Sequence, residues 1–569
     1  MPSERRQFAL LHRDFLYRMV DLELLSSHGD VPKLLGQFGA LLAAFSFVVA
    51  VLIIPKYGLS RLGDGELSVA AWGDEEFLIS TTMAVAGLFA VVAWNAVLPD
   101  RRDSYVLGPL PVRVRTIFAA KLTAMLSALG VSIFAVNAFT GMGFPSFGAG
   151  LRGPAAYWVT MIAAGLFVFC GFLALQGLTA HLLSYRLFLR LSGCLQIVAL
   201  FAVLSCYFLT PPLATPYHLA AFENQRLLAW LPSFWFLGLF QQLRGHADPV
   251  FAPLAARALL ILSVVLAVAG GTYALMYFRH MRRVVEQPDI APADRSRPAA
   301  RLVGFAASRI LSSPLDRAIL LFTARTLARS RQHRFLLAAY AGVGLAIAFA
   351  YAKSLIYGVS RAPWTRVTLP GLTIGLVLLT FAVIGARAVF ALPVSLRANW
   401  IFRLTAIYHP CAYLAAVRKS LLALAAAPVC LVSAVAYLSI WPEGAALEHI
   451  AILLAVSFLL ADLSLYQFRK IPFACSYLPG KANLKVKFGV YAGAFGAILS
   501  AGTAVEFVAL QKVSRFAFLL AVLLVMALWA ARRRAEFAAS PENSLQFEEV
   551  PVADVLILDL VGHAVSPTA

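Results

Sequence analysis

Two carboxylates interrupt long apolar runs of this chain: Asp462 in "LLAVSFLLADLSLY" and Glu506 in "SAGTAVEFVAL". A charge held at mid-membrane costs roughly 2.5–3.5 kcal/mol on insertion scales, so a residue of this kind marks a substrate or proton path unless it finds a local partner. Both roles stay open for both residues. Asp462 precedes the basic pair Arg469 and Lys470 by about two helical turns, and Glu506 stands near the end of its run. Arg387 and Lys353 lie near the ends of apolar runs and read as snorkelling cations.

Other chemistry is hard to find. An ATP site needs GxxxxGK[ST], whose backbone amides cradle phosphate while the Lys and hydroxyl serve phosphate and magnesium. The nearest string, "PGKANLK" at 479–485, lacks the leading Gly and has Ala482 where the hydroxyl should stand. There is no HExxH and no GxSxG. The six cysteines, Cys170, Cys194, Cys206, Cys411, Cys430 and Cys475, show no CxxC or Cys/His spacing and read as small buried residues. The expectation is a chain that is not an enzyme and uses no cofactor of its own.

The elements that must position these residues are membrane helices. Hydrophobic residues make up 61% of the 569 and charged ones only 13%, far from the balance of a soluble domain. Taking about 20 apolar residues per crossing, the spans fall near 35–55, 77–98, 115–138, 156–180, 191–211 and 254–279, then near 335–356, 370–393, 419–440, 448–468, 488–510 and 515–532. The fold class is all-α: a polytopic membrane protein of about twelve spans in two six-helix halves.

Charge sets the orientation. Lys and Arg number 48 against 28 Asp and Glu, a net charge of +20. Arg101, Arg102, Arg113 and Arg115 follow the second span, Arg186 and Arg190 the fourth, Arg397 and Arg403 the eighth, and Arg469, Lys470, Lys481, Lys485 and Lys487 the tenth. Basic loops stay cytoplasmic and face acidic lipid, so both termini are expected there, and nucleic acid is not an expected partner. The acidic stretch "RLGDGELSVAAWGDEEF" at 61–77 is read as a loop on the opposite side.

The halves share a plan. Before the first span, Phe8, Leu11, Phe15, Met19 and Leu22 recur at spacings of three and four among arginines, as in an interfacial helix. Before the seventh, Ser313, Pro314 and Asp316 open "SSPLDRAILLFTARTLARSRQHR" as a capped helix start. "LPVR" at 110–113, containing Pro111, returns as "LPVS" at 392–395, and each leads into a basic junction and a span. Similar halves of this kind suggest duplication. Trp230, Phe234, Trp235, Phe236 and Phe240, in "RLLAWLPSFWFLGLFQQLRG" at 226–245, are too broken by Pro232 to cross; they suit either a headgroup-layer anchor or a helix shaping the outer mouth of a pathway.

These pieces divide the chain into an amphipathic elbow (1–34), a first membrane half (35–279), a linker with a second elbow (280–334), a second membrane half (335–532) and a tail (533–569). Elbows before each half, the basic "PLPVRVRTIFAAKL" junction and the aromatic outer segment together resemble the membrane subunits of ABC-2-type ABC transporters, here as two six-span units in one chain. The resemblance implies a permease, read as an exporter in a bacterial inner (plasma) membrane. It also implies a partner ATPase that carries ATP and Mg2+. Arg101, Arg102, Pro111, Arg113, Arg115, Arg397 and Arg403 would form the loops that receive its motion. Membrane lipid is the other implied partner, and a homodimer is left open. The second half departs from the pattern: "QKVSR" between its last spans is too short for an outer helix. A twelve-span secondary transporter of the major facilitator type is the main alternative, although "LPDRRDSYVLG" lacks the glycines of that family's second-to-third loop. A membrane anchor or regulator of an ATPase is a third.

Overall fold

A computed structural model gives the architecture and describes residues 4–20, 31–58, 64–96, 110–143, 152–214, 222–245, 248–286, 313–357, 365–392, 410–466 and 484–540, with Leu107, Leu219, Phe468, Pro472 and Phe473. Among the described residues every regular element is a helix. In chain order these are α1 (Glu4–Val20), α2 (Val31–Gly58), α3 (Asp64–Val92), α4 (Val114–Asn137), α5 (Arg152–Leu182), α6 (Tyr185–Phe208), α7 (Phe222–Leu228), α8 (Pro232–Arg244) and α9 (Phe251–Glu286). There follow α10 (Pro314–Arg329), α11 (Arg331–Tyr357), α12 (Leu369–Phe390), α13 (Pro410–Leu421), α14 (Ala427–Ile440), α15 (Glu443–Ser464), α16 (Leu484–Ala509) and α17 (Val513–Ala539).

Eleven helical stretches among the described residues are long and apolar enough to cross a bilayer, so the chain is an integral membrane protein. The remaining expected span, near 488–510, falls on α16, of which Gly496–Ala509 is a shorter apolar stretch among the described residues. The stretch read as an outer loop is helical from Asp64, so Asp74, Glu75 and Glu76 lie on a helix and not in a loop. A single turn of polar side chains does not stop a helix whose next residues pack, and alternation of charge with Ala and Trp hid that continuity. Residues 97–106, 287–312, 393–409 and 541–569 lie outside the described residues, and so therefore do Arg101, Arg102, Arg397 and Arg403.

The chain forms two compact units. One comprises residues 1–295, 342–377 and 479–500, the other residues 296–341, 378–478 and 501–569. In the first, α3, α4, α5, α8 and α9 surround a core in which Ile79, Ala86, Met125, Tyr157, Ala164, Phe234 and Phe236 are buried. Small residues let these helices approach where apolar side chains alone would give no preference over lipid. In the second, α15 packs on α17, α14 on α15, and α10 on α13. Pro428, the second residue of α14, lacks an N–H and crowds the carbonyl four residues earlier. The turn before it, Leu422–Ala426, is a π-bulge joining α13 to α14.

Candidate functional site

The first candidate region is the dock between each elbow helix and the third span of its half. On α1, Phe15 is 3% exposed and packs with Leu107, Ile117, Ala120 and Ala124, while Phe8, Leu11, Leu16 and Val112 cover the edge. Lys121 of α4 is buried beneath it, its ammonium 5.5 Å from the centre of the Phe15 ring. His12 meets Ser127 at 3.3 Å, and Glu4 binds Arg113 at 2.7 Å. Phe8, Leu11 and Phe15 of the predicted stripe therefore pack toward α4, and Arg5, Arg6 and Arg13 are exposed; Leu22 lies outside the described residues. Of the predicted loop residues, Arg113 makes this exposed ion pair, and Pro111 and Arg115 lie exposed at the start of α4.

The second unit repeats the dock with different chemistry. Asp316, in the first turn of α10, is 5% exposed and receives Lys419 of α13 at 2.5 Å. α10 packs on α13, and Ile319, Leu320 and Thr323 of the one and Tyr413, Leu414, Ala416 and Val417 of the other are all buried. His333, at the start of α11, was not singled out in the sequence, yet it joins three parts of the junction. Its Nδ1 meets Ser330 Oγ at 2.6 Å, its Nε2 meets the carbonyl of Leu392 in "LPVS" at 3.0 Å, and its ring packs edge-on to Phe473 at 5.3 Å. Phe473 in turn touches Phe322 of α10 and Phe390 of α12, and holds a left-handed backbone at φ 63°. A lone His followed by arginines carries no spacing signal that would have found this role.

The basic pair Arg469 and Lys470 lies outside the described residues, and Asp462 finds its described partners on other helices. Its side chain is fully enclosed, with Oδ1 accepting Arg418 Nε at 2.7 Å and Arg534 Nε at 2.8 Å, and Oδ2 accepting Arg418 Nη2 at 2.8 Å. Both arginines come from other helices, α13 and α17, and no window on α15 alone could reveal them. Arg387 has partners within the protein: its Nε donates to the Ser464 carbonyl at 2.9 Å and its guanidinium lies 4.3 Å from the Phe468 ring centre. That carbonyl ends α15, where the helix dipole favours a cation.

Glu506 is 1% exposed and meets His449 Nδ1 at 2.5 Å, with His449 at 0%. Tyr437 and Trp441 wall the imidazole at ring distances of 4.6 and 5.6 Å. Glu506 Oε2 and His449 Nε2 have no partner among the described residues. His449 stands near the first turns of α15 and Asp462 near its last, about 20 Å apart along one helix, so the two polar sites lie toward opposite ends of α15.

At the equivalent end of α3 in the first unit, Glu75 is enclosed between Arg244 Nη1 at 2.9 Å and Gln241 Nε2, both on α8. Beside it Glu76 accepts from Ser80 at 2.5 Å and from Ser233, and feels the charge of Lys353. The aromatic segment is thus not a headgroup anchor, Trp230 excepted, which is 80% exposed. Phe234, Phe236 and Phe240 are at most 2% exposed because α8 is packed on α3, α5 and α9. Pro232 starts α8 and Gly245 ends it with φ 98°, a conformation open to Gly. Deeper in the same unit, Thr82, Asn137, Thr140 and Tyr157 bond one another across α3, α4 and α5. Comparison of the chain with protein-family models, with curated proteins and with solved structures finds no match.

Proposed function

We propose that this chain is the membrane-spanning permease of an ATP-driven transporter of the ABC-2 type, acting as an exporter in the bacterial inner membrane with a separate ATPase. The reading rests on one observation: each unit carries an amphipathic helix bonded to the beginning of its third span, through Glu4–Arg113 and Phe15–Lys121 in one and Asp316–Lys419 in the other. A surface helix held only by lipid could not drive a span. One locked to it by a buried aromatic or a half-buried ion pair transmits displacement along a rigid rod of 24 residues or more.

In this account the basic ends of the spans face the cytoplasm, and the ATPase pushes on the elbows and on the junction at Pro111, Arg113 and Arg115. ATP and Mg2+ belong to the partner. At the far end, the bonds of Glu75 to Arg244 and Gln241 hold α8 against α3 and must yield for an outward opening. Rocking between two packed arrangements then follows if ATP binding favours one of them. The test is co-reconstitution of the chain and its ATPase in vesicles: Arg113→Glu with Arg115→Glu should leave membrane insertion intact, yet separate ATP hydrolysis from transport.

One observation favours a second reading, a proton-coupled secondary transporter. The enclosed His449–Glu506 pair is the kind of site that carries a proton through a membrane protein. A dependence of transport on the proton gradient with no ATP would favour it.

A further inference from the structure

The Asp462 cluster holds more positive than negative charge. Two guanidinium groups, Arg418 and Arg534, share a single carboxylate, and neither has another ionic partner among the described residues. Arg418 spends Nε and Nη2 on Asp462. Arg534 spends only Nε, leaving its two terminal nitrogens without a hydrogen bond among the described residues.

Arg534 also lines a shallow open cleft with Leu414, Val417, Tyr466, Phe468 and Phe537. Tyr466 is 41% exposed and lies against Phe537 with ring centres 5.5 Å apart, so one wall is an aromatic surface open to the surroundings. The cleft lies where the apolar run of α17 gives way to Arg532, Arg533 and Arg534. Trp529, 57% exposed one turn earlier, carries the Arg533 guanidinium 5.8 Å from its ring. Trp followed by arginine at the end of a span is the pattern of the headgroup layer. Glu536 lies 3.8 Å from Arg533, too exposed to neutralise the cleft.

We propose that this cleft is a binding site for an acidic phospholipid. The free fork of Arg534 receives a phosphate oxygen pair, Arg532 and Arg533 attract the net negative headgroup, and an acyl chain lies against Tyr466 and Phe537. A planar fork matches phosphate bidentately, which an ammonium does not. The uncompensated charge supplies the selectivity for acidic over zwitterionic lipid. A surplus guanidinium at a membrane surface is otherwise left to water alone. The site does not depend on the transport reading, because it needs only the membrane position of α17.

The test uses the full chain, purified in mild detergent and stripped of lipid, with thermal unfolding followed on adding phosphatidylglycerol, phosphatidylcholine or inorganic phosphate. Phosphatidylglycerol should stabilise the wild type, and the other two should not. Arg534→Lys keeps the charge but not the fork and should weaken the phosphatidylglycerol response roughly tenfold in concentration. If that variant does not fold, Tyr466→Ala, which touches no ion pair, should weaken it in the same direction. Equal responses to the two lipids would overturn the proposal. So would a shift given by inorganic phosphate alone, which would mean a free-anion site, or an unchanged response in the variant that folds.

Discussion

His449 Nδ1 and Glu506 Oε1 lie 2.5 Å apart, with both side chains closed off by α14, α15 and α16. Each is the other's partner in a setting that would tolerate neither alone. A buried charge left without its mate costs about 3–5 kcal/mol, whereas removing both partners of a pair is often close to neutral. His449→Phe and Glu506→Leu should therefore each lower thermal stability sharply, and the double substitution should be milder than either. Additive losses in unfolding scans of purified protein would show that the two residues act independently.

Asp462 anchors two arginines at once, so Asp462→Asn should destabilise more than loss of either arginine. It leaves two largely buried guanidinium groups with no carboxylate between them. Arg418→Gln leaves the Arg534 bond to the carboxylate in place and should cost less. Melting temperatures of the two variants in the same detergent check the order.

How far the sequence discloses this protein follows from which contacts are local. Apolar runs of span length, the elbow periodicity and the Ser313-Pro314-Asp316 helix start depend on neighbours within one helix, and all three reappear as helices. Partners such as Arg534 for Asp462, or His449 for Glu506, sit 72 and 57 residues away in sequence. Only packing brings them together. The aromatic segment shows the same limit: Phe234 and Trp230 look alike in sequence, yet one is buried and the other exposed because α8 begins between them at Pro232.

Gly238 marks a crossing where backbone meets backbone. A methyl group there would stand 2.5 Å from Leu254 Cβ and 3.0 Å from both Ala255 N and Phe251 O of α9. Gly238→Ala should destabilise by about 1–3 kcal/mol through overpacking. At Gly130 on α4 nothing lies within 4 Å, so Gly130→Ala should instead be neutral or stabilising by up to about 1 kcal/mol. The pair of unfolding curves separates packing from helix propensity.

Phe15 holds α1 to α4 through a core contact rather than through the exposed Glu4–Arg113 pair. Phe15→Ala should loosen the elbow at a cost of about 3 kcal/mol, whereas Glu4→Gln should have little effect on stability. Protease sensitivity of the first 20 residues, compared between the two variants, reads this directly. Equal sensitivity would mean that lipid, not α4, holds the elbow.

Isolation of the full chain from its native membrane in a mild detergent tests the ATP-driven reading most directly. A Walker A ATPase should accompany it in fixed stoichiometry, and ATP hydrolysis by the complex should drive transport in vesicles until Phe15→Ala or Asp316→Asn uncouples the two. A chain that comes out without an ATPase, and that moves cargo on a proton gradient alone, would contradict the account.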